Sequence, residues 1–172
     1  MKVNKKIVYL FVFSLVLLIL PDYAQAYRLN GDKISSPKKA YYWIDPDFKK
    51  YKLHGEVKRG VTAWNPSSKI EFLGEARMAG GARVKIEYLD RKPGDYYGIY
   101  NGRGNISLNK RWRTELKSLT RKETAVHEVG HALGLAHTQA KNNLNSVMRA
   151  REFNYIDKPM SDDYAGINKI YK

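Results

Sequence analysis

The chain has 172 residues, 43% of them hydrophobic and 12% aromatic, which is enough apolar side chain to bury a core and too much for a disordered chain. Its formal charge of +14 suits association with anionic surfaces, but no nucleic-acid-binding motif accompanies the charge, so nucleic acid is not an expected partner. There is no cysteine, which excludes disulfides and thiolate metal ligands, so the core and any bound metal must hold the protein together.

Residues 1–26 read as a secretory signal peptide. Lys2, Lys5 and Lys6 form a positive start, residues 7–20 are an apolar run broken only by Tyr9 and Ser14, and Ala24-Gln25-Ala26 supplies a small-x-small cleavage site. The run is shorter than the roughly 20 apolar residues that span a bilayer, so cleavage after Ala26 and export are expected, with no membrane anchor remaining. Residues 27–172 would then form one domain. Within it, residues 27–39 read as a polar, extended lead-in and residues 40–44 as an aromatic-rich strand turned by Asp45-Pro46-Asp47. Val57, Val61 and Trp64 lie at helical spacing, so a helix is expected over 53–64, stopped by Asn65-Pro66. Residues 69–73 and 83–89 alternate as strands do. A loop over 90–104 has room for a short edge strand at 97–100, and 104–109 reads as another strand. Thr120 opens the next helix, with Glu123 three residues later completing a capping box. Val126, Val129 and Leu133 give that helix a core face, and Gly134 ends it. After an irregular stretch, a last helix is expected over 161–170, capped by Ser161 and carrying Asp162 and Asp163 in its first turn.

The chemistry is concentrated in one stretch, which holds three of the four histidines of the chain. His127 and His131 are four residues apart, so both project from one helix face and both can reach one metal ion. Gly134 lets the chain turn sharply and bring His137 round as a third ligand. Three neutral imidazoles suit a tetrahedral zinc that keeps one position for water. Glu128 is no ligand in this set, yet it neighbours His127. It is placed to take a proton from a water acidified by the metal and to return it to the leaving amine of a cleaved peptide bond. A buried histidine without a metal would leave the spacing of the other two unexplained.

The stretch from His127 to His137 follows the pattern H-E-x-x-H-x-x-G-x-x-H, and on it the chain resembles the metzincin zinc proteases, with the wording HEVGHALGLAHT most similar to the matrixin branch. Ser146-Val147-Met148 is placed for the Met-turn, and residues 161–167 followed by Tyr171 are similar to the matrixin C-terminal helix. The resemblance is specific from residue 120 to 171 and looser upstream. It implies an α+β domain: a twisted, mixed, mostly parallel sheet with one helix before it and the active-site helix behind it, and a C-terminal helix below. It also implies a secreted endopeptidase of extracellular proteins, such as those of the extracellular matrix, with one catalytic zinc and a protein or peptide substrate lying in a cleft. Met148 would pack beneath the metal. Asp163 would bond the Met-turn backbone, and an ammonium on Tyr27 would pair with Asp162. Matrixins of the vertebrate type hold a second, structural zinc on upstream histidines. The only other histidine is His54, on the first predicted helix, so a second zinc of that type is not expected. Asp90 and Asp95 are candidate calcium ligands, although loop acids are commonly just solvated. Arg149-Ala150 stand where matrixins commonly have Tyr-Pro, so the family's specificity rules do not carry over. Two other classes compete with the enzyme: a zinc-holding binding protein without catalysis, for which Glu128 has no use, and a basic adhesion module, which leaves the three histidines unexplained.

Overall fold

The computed structural model describes residues 27–138 and 143–172; the signal-peptide reading of residues 1–26 lies outside the described residues. The main sheet has five strands in the order β3-β2-β4-β6-β5: β2 (Ala40–Ile44), β3 (Phe72–Glu75), β4 (Val84–Leu89), β5 (Gly98–Tyr100) and β6 (Asn105–Asn109). The first four in that order run parallel, and β5 closes the edge antiparallel to β6. Alternation decides which face is buried. Ala40, Tyr42 and Ile44 point inward with Val84, Ile86 and Tyr88, and the register sets Tyr42 beside Val84 and Ile86 beside Ile106. Tyr41 on the opposite face is 44% exposed.

With only one apolar face to cover, the two long helices share it. Helices α2 (His54–Thr62) and α4 (Ser118–Ala132) lie against each other on that face rather than one before and one behind the sheet, which corrects the expected layering. Gly60 makes the close approach feasible, because a Cβ there would stand 2.4 Å from the Cβ of Ala125. Trp64 is fully buried between them, its indole N–H donating to the Val126 carbonyl at 3.2 Å. A forked Arg121–Glu56 pair, 2.5 and 3.0 Å, ties the two helices at their outer edge.

Several boundaries differ from the sequence expectation. The third strand lies over Phe72–Glu75 instead of 69–73, because Asn65 brackets the backbone of Phe72, accepting its N–H at 2.9 Å and donating to its carbonyl at 3.2 Å. Helices α1 (Asp47–Lys50) and α3 (Lys110–Glu115) were not expected; each is one turn or a little more, too short to show periodicity, and they are held by the edge-to-face packing of Phe48 on Trp112. The Asn109 side chain caps α3, accepting from Arg111 N at 2.8 Å and Trp112 N at 3.2 Å. Helix α4 starts at Ser118, and no capping box forms: Thr120 donates its hydroxyl to the Lys117 carbonyl, and Glu123 turns inward. The last helix, α5 (Ser161–Ile170), has the expected span, but its cap position is Met160, not Ser161.

The lower part of the domain hangs on α5 and on a small antiparallel ladder of β1 (Arg28–Leu29) with β7 (Leu135–Ala136). Tyr27 packs on α5: a Cβ at Gly166 would lie 3.2 Å from its Cβ and Cγ. Asp163 is 1% exposed and accepts from Ser146 Oγ at 2.6 Å, Val147 N at 2.9 Å and Met160 N at 2.8 Å. Burial raises its carboxyl above the usual range, and those three donors pull the other way. No helix among the described residues is long and apolar enough to cross a membrane.

Candidate metal centre and active site

The three histidines of the motif converge. His127 and His131 project from the last two turns of α4, where Gly130 between them keeps the helix flush against Met148; a Cβ at Gly130 would stand 2.3 Å from the Met148 sulfur. Met148 is 1% exposed, directly under the histidine-bearing turn. The helix then ends, and Gly134 adopts φ +104° in a spot where a Cβ would meet the Asp32 carbonyl oxygen at 2.3 Å. That turn returns the chain through β7 to His137. Its Nε2 lies 3.1 Å from Nε2 of His127 and 3.1 Å from Nε2 of His131.

Hydrogen bonds on the far side of two rings fix which nitrogen faces inward. His127 Nδ1 donates to the Val147 carbonyl and His131 Nδ1 to the Leu135 carbonyl, each at 2.8 Å. Their Nε2 lone pairs are thereby left facing the shared centre. Burial, with the neighbouring His131 and His137 adding to it, pushes His127 down to about 3; burial takes His131 down to about 4 and lowers His137 as well. Three neutral imidazoles with their lone pairs together could hold a metal ion. Their separations are near the ~3.3 Å that a tetrahedral ion with ~2.0–2.1 Å bonds to nitrogen sets between its ligands.

Glu128 lies beside this centre, 6% exposed, and burial pushes its carboxyl up to about 8 against the pull of the Tyr100 backbone N–H. Strand β5 passes so close that a Cβ at Gly98 would stand 2.9 Å from Glu128 Cγ. Histidines and carboxylate open onto a cavity of about 730 Å³, whose walls include Tyr97 on one side and Arg149 and Phe153 on the other. The remaining candidates fall elsewhere. His54 faces Glu75 at 2.9 and 3.0 Å on the surface, away from the three histidines. Asp90 is paired with Lys110 and Arg113, and Asp95 with Arg111.

Sequence reasoning missed two supports of the site. Asn30 caps the end of the metal helix from 101 residues away: its amide donates to the carbonyls of His131 at 2.9 Å and Leu135 at 3.2 Å, and its backbone N–H donates to Gly134 O at 3.0 Å. Leu135 O is also the acceptor for His131 Nδ1, so Asn30 holds the group that orients His131. Nothing local to Asn30 signals this, since its partners are remote in sequence. Outer partners of metal ligands typically contribute 10–100-fold in affinity, and Asn30→Ala is expected to weaken zinc binding by about 10-fold in competition with a chelator. Unchanged affinity would contradict that role. The second missed support is Glu123, which lines the cavity instead of capping the helix.

A mixed sheet above a histidine-bearing helix, a Met148 turn beneath it and a closing C-terminal helix are consistent with a metzincin-type domain. Residues 97–172 match the model of the matrixin peptidase family. The chain is similar to macrophage metalloelastase of Oryctolagus cuniculus, 26% identical over 147 residues, covering 73% of this chain and 30% of that protein. A shorter likeness, 37% identity over 49 residues, is to a probable UDP-arabinose 4-epimerase 3 of Oryza sativa subsp. japonica and covers 28% of this chain and 12% of that one. The chain thus spans less than a third of the length of either relative, and the 49-residue stretch is too short to define a fold.

Proposed function

We propose that the protein is a secreted, zinc-dependent metalloendopeptidase, with residues 1–26 as a signal peptide and 27–172 as the catalytic domain. The observation that carries this reading is the convergence of three Nε2 atoms, two of them oriented by carbonyls behind, next to a buried carboxylate and an open cavity. His127, His131 and His137 would hold the ion, and Met148 would pack beneath it. When bound, zinc supplies a Lewis acid that polarises a peptide carbonyl and brings the pKa of a coordinated water towards ~7. The remaining steps belong to the chain. Glu128, not being one of the converging ligands, accepts the water proton and passes it to the amide nitrogen as that becomes the leaving amine. Its ionised form, disfavoured by burial alone, is favoured beside a dication, so its proton-accepting state goes with occupancy of the site. Asp163 steadies the centre through Val147, whose carbonyl orients His127.

After removal of residues 1–26, the new ammonium on Tyr27 would lie on α5, where its pairing with Asp162 would tie the lead-in segment to the helix. A calcium ion at Asp90 or Asp95 would have to displace Lys110, Arg113 or Arg111, and it forms no part of this reading. The similarity to a metalloelastase favours protein substrates, and the positive charge of the chain favours anionic surroundings. The test is incubation of the purified protein with an unfolded protein substrate. Cleavage that stops with a zinc chelator and returns with added zinc is the expected result; no cleavage from a protein that binds zinc would leave a non-catalytic binding protein instead.

A further inference from the structure

Asn30 is exposed to water and is followed by Gly31, a pair with chemistry that the peptide-cleaving steps do not use. The backbone nitrogen of the residue after an asparagine can attack the asparagine side-chain carbon, and glycine hinders that attack least because it has no Cβ. No atom beyond its chain neighbours lies within 4 Å of a Cβ placed on Gly31, and the Gly31 N–H makes no hydrogen bond among the described residues. Gly31 has φ +89°, a left-handed backbone that a residue with a side chain keeps only under strain, so the fold itself retains the unhindered neighbour. The Asp32 N–H donates to Asn30 Oδ1 at 2.9 Å. This local turn folds the side chain back over its own backbone and draws electron density from the carbon to be attacked.

The nitrogen end of the same amide is held from a distance. Nδ2 donates to the carbonyls of His131 at 2.9 Å and Leu135 at 3.2 Å, which belong to the end of α4 and to β7. While both bonds are made, Nδ2 is kept in the amide plane, away from the tetrahedral geometry of a departing ammonia. When the end of α4 loosens, those bonds go but the turn to Asp32 stays, because its partner is close in sequence. We propose that Asn30 is a self-modification site gated by the metal centre: with His127, His131 and His137 unoccupied, the Gly31 nitrogen closes on Asn30 Cγ and the side-chain amide becomes a carboxylate. Water is the only co-reactant. Solvent removes the Gly31 proton, the nitrogen bonds to Cγ, the Cγ–Nδ2 bond breaks, and Nδ2 leaves as ammonia with a proton from solvent. Water then opens the cyclic imide at one carbonyl or the other, giving an aspartate or an isoaspartate. Neither product carries the NH2 group that the His131 and Leu135 carbonyls accept from, and its oxygens face those carbonyls acceptor against acceptor. Leu135 O orients His131, so a chain modified in this way has lost part of its means of holding the metal. This role rests on the zinc-site part of the proposed function and not on catalysis.

The test incubates the purified protein with excess zinc or with excess chelator and follows amide-to-acid conversion at each asparagine by peptide mass mapping. At free zinc about 100-fold above its dissociation constant, a metal that binds only the docked state lowers the population of the loosened state about 100-fold, so conversion at Asn30 is expected to be at least about ten-fold slower with zinc than without. Asn101 precedes Gly102 and has the same chemistry available, but its amide donates to Ser107 Oγ at 2.8 Å and to no carbonyl of the metal helix. Its conversion is expected to be equal in the two arms. Asn30→Asp, the direct product, is expected to bind zinc about ten-fold more weakly than wild type in competition with a chelator. Equal conversion at Asn30 with and without zinc, or none at Asn30 without zinc, overturns the gated site. An Asn30→Asp protein that binds zinc as tightly as wild type overturns the consequence drawn from it. A wild type that takes up no zinc fails in the binding titration, before any mass is read, and overturns the zinc-site reading instead. Zinc-dependent conversion in a protein that cleaves no peptide supports this site while removing the peptidase reading.

Discussion

Glu128→Ala is expected to keep its zinc and its fold while losing about 10²–10⁴-fold in kcat/KM, the contribution of a well-placed general base. The side chain is outside the converging ligand set, so metal affinity has no reason to change. Stability has none either: burial opposes ionisation of this carboxyl, and truncation removes a buried polar group without stranding a charged partner. Turnover is different, because the other buried carboxylate lining the cavity among the described residues, Glu123, has its oxygens occupied by backbone N–H groups. Kinetics and metal content measured on one preparation check both halves. A variant with near wild-type turnover would remove Glu128 from the mechanism, and a variant without zinc would make it a ligand or a structural support instead.

His137→Ala has the second large effect, on the metal. His127 and His131 are built into a buried helix and oriented by carbonyls, so they stay in place when His137 goes. Two imidazoles at i and i+4 are still a weak site, and the loss in affinity should exceed the ~10–100-fold typical of an outer partner, and hence exceed that of Asn30→Ala. Competition with a chelator of known affinity ranks the two variants. If Asn30→Ala proved the more damaging, the ligand assignment of His137 would not stand.

These residues show where sequence was sufficient. His127, His131 and His137 could be grouped because helical spacing and one glycine turn relate them locally, and the structure brings their Nε2 atoms together. Strand β4 followed from alternation, strand β2 from its aromatic run and the turn after it, and the last helix from its acidic first turn, all of them local signals. Residues whose roles depend on distant partners were misread or missed. Thr120 and Glu123 have capping-box spacing, but the backbone N–H groups of Asn154 and Ile156, in a segment without helix or strand, take the carboxylate instead. Asn30 looks like any turn residue until the end of α4 is docked beside it. Which side of the sheet each helix would take was also beyond periodicity, since it depends on Gly60 meeting Ala125.

On the proposed function, one zinc held by His127, His131 and His137 makes this chain a peptidase. That reading is tested most directly by stripping the purified protein of metal and titrating zinc back while following peptide hydrolysis. Activity should rise in proportion to added zinc and level off at one equivalent per chain, the number of three-histidine groups found among the described residues. Hydrolysis that persists without metal, or that levels off only at two equivalents, would contradict it.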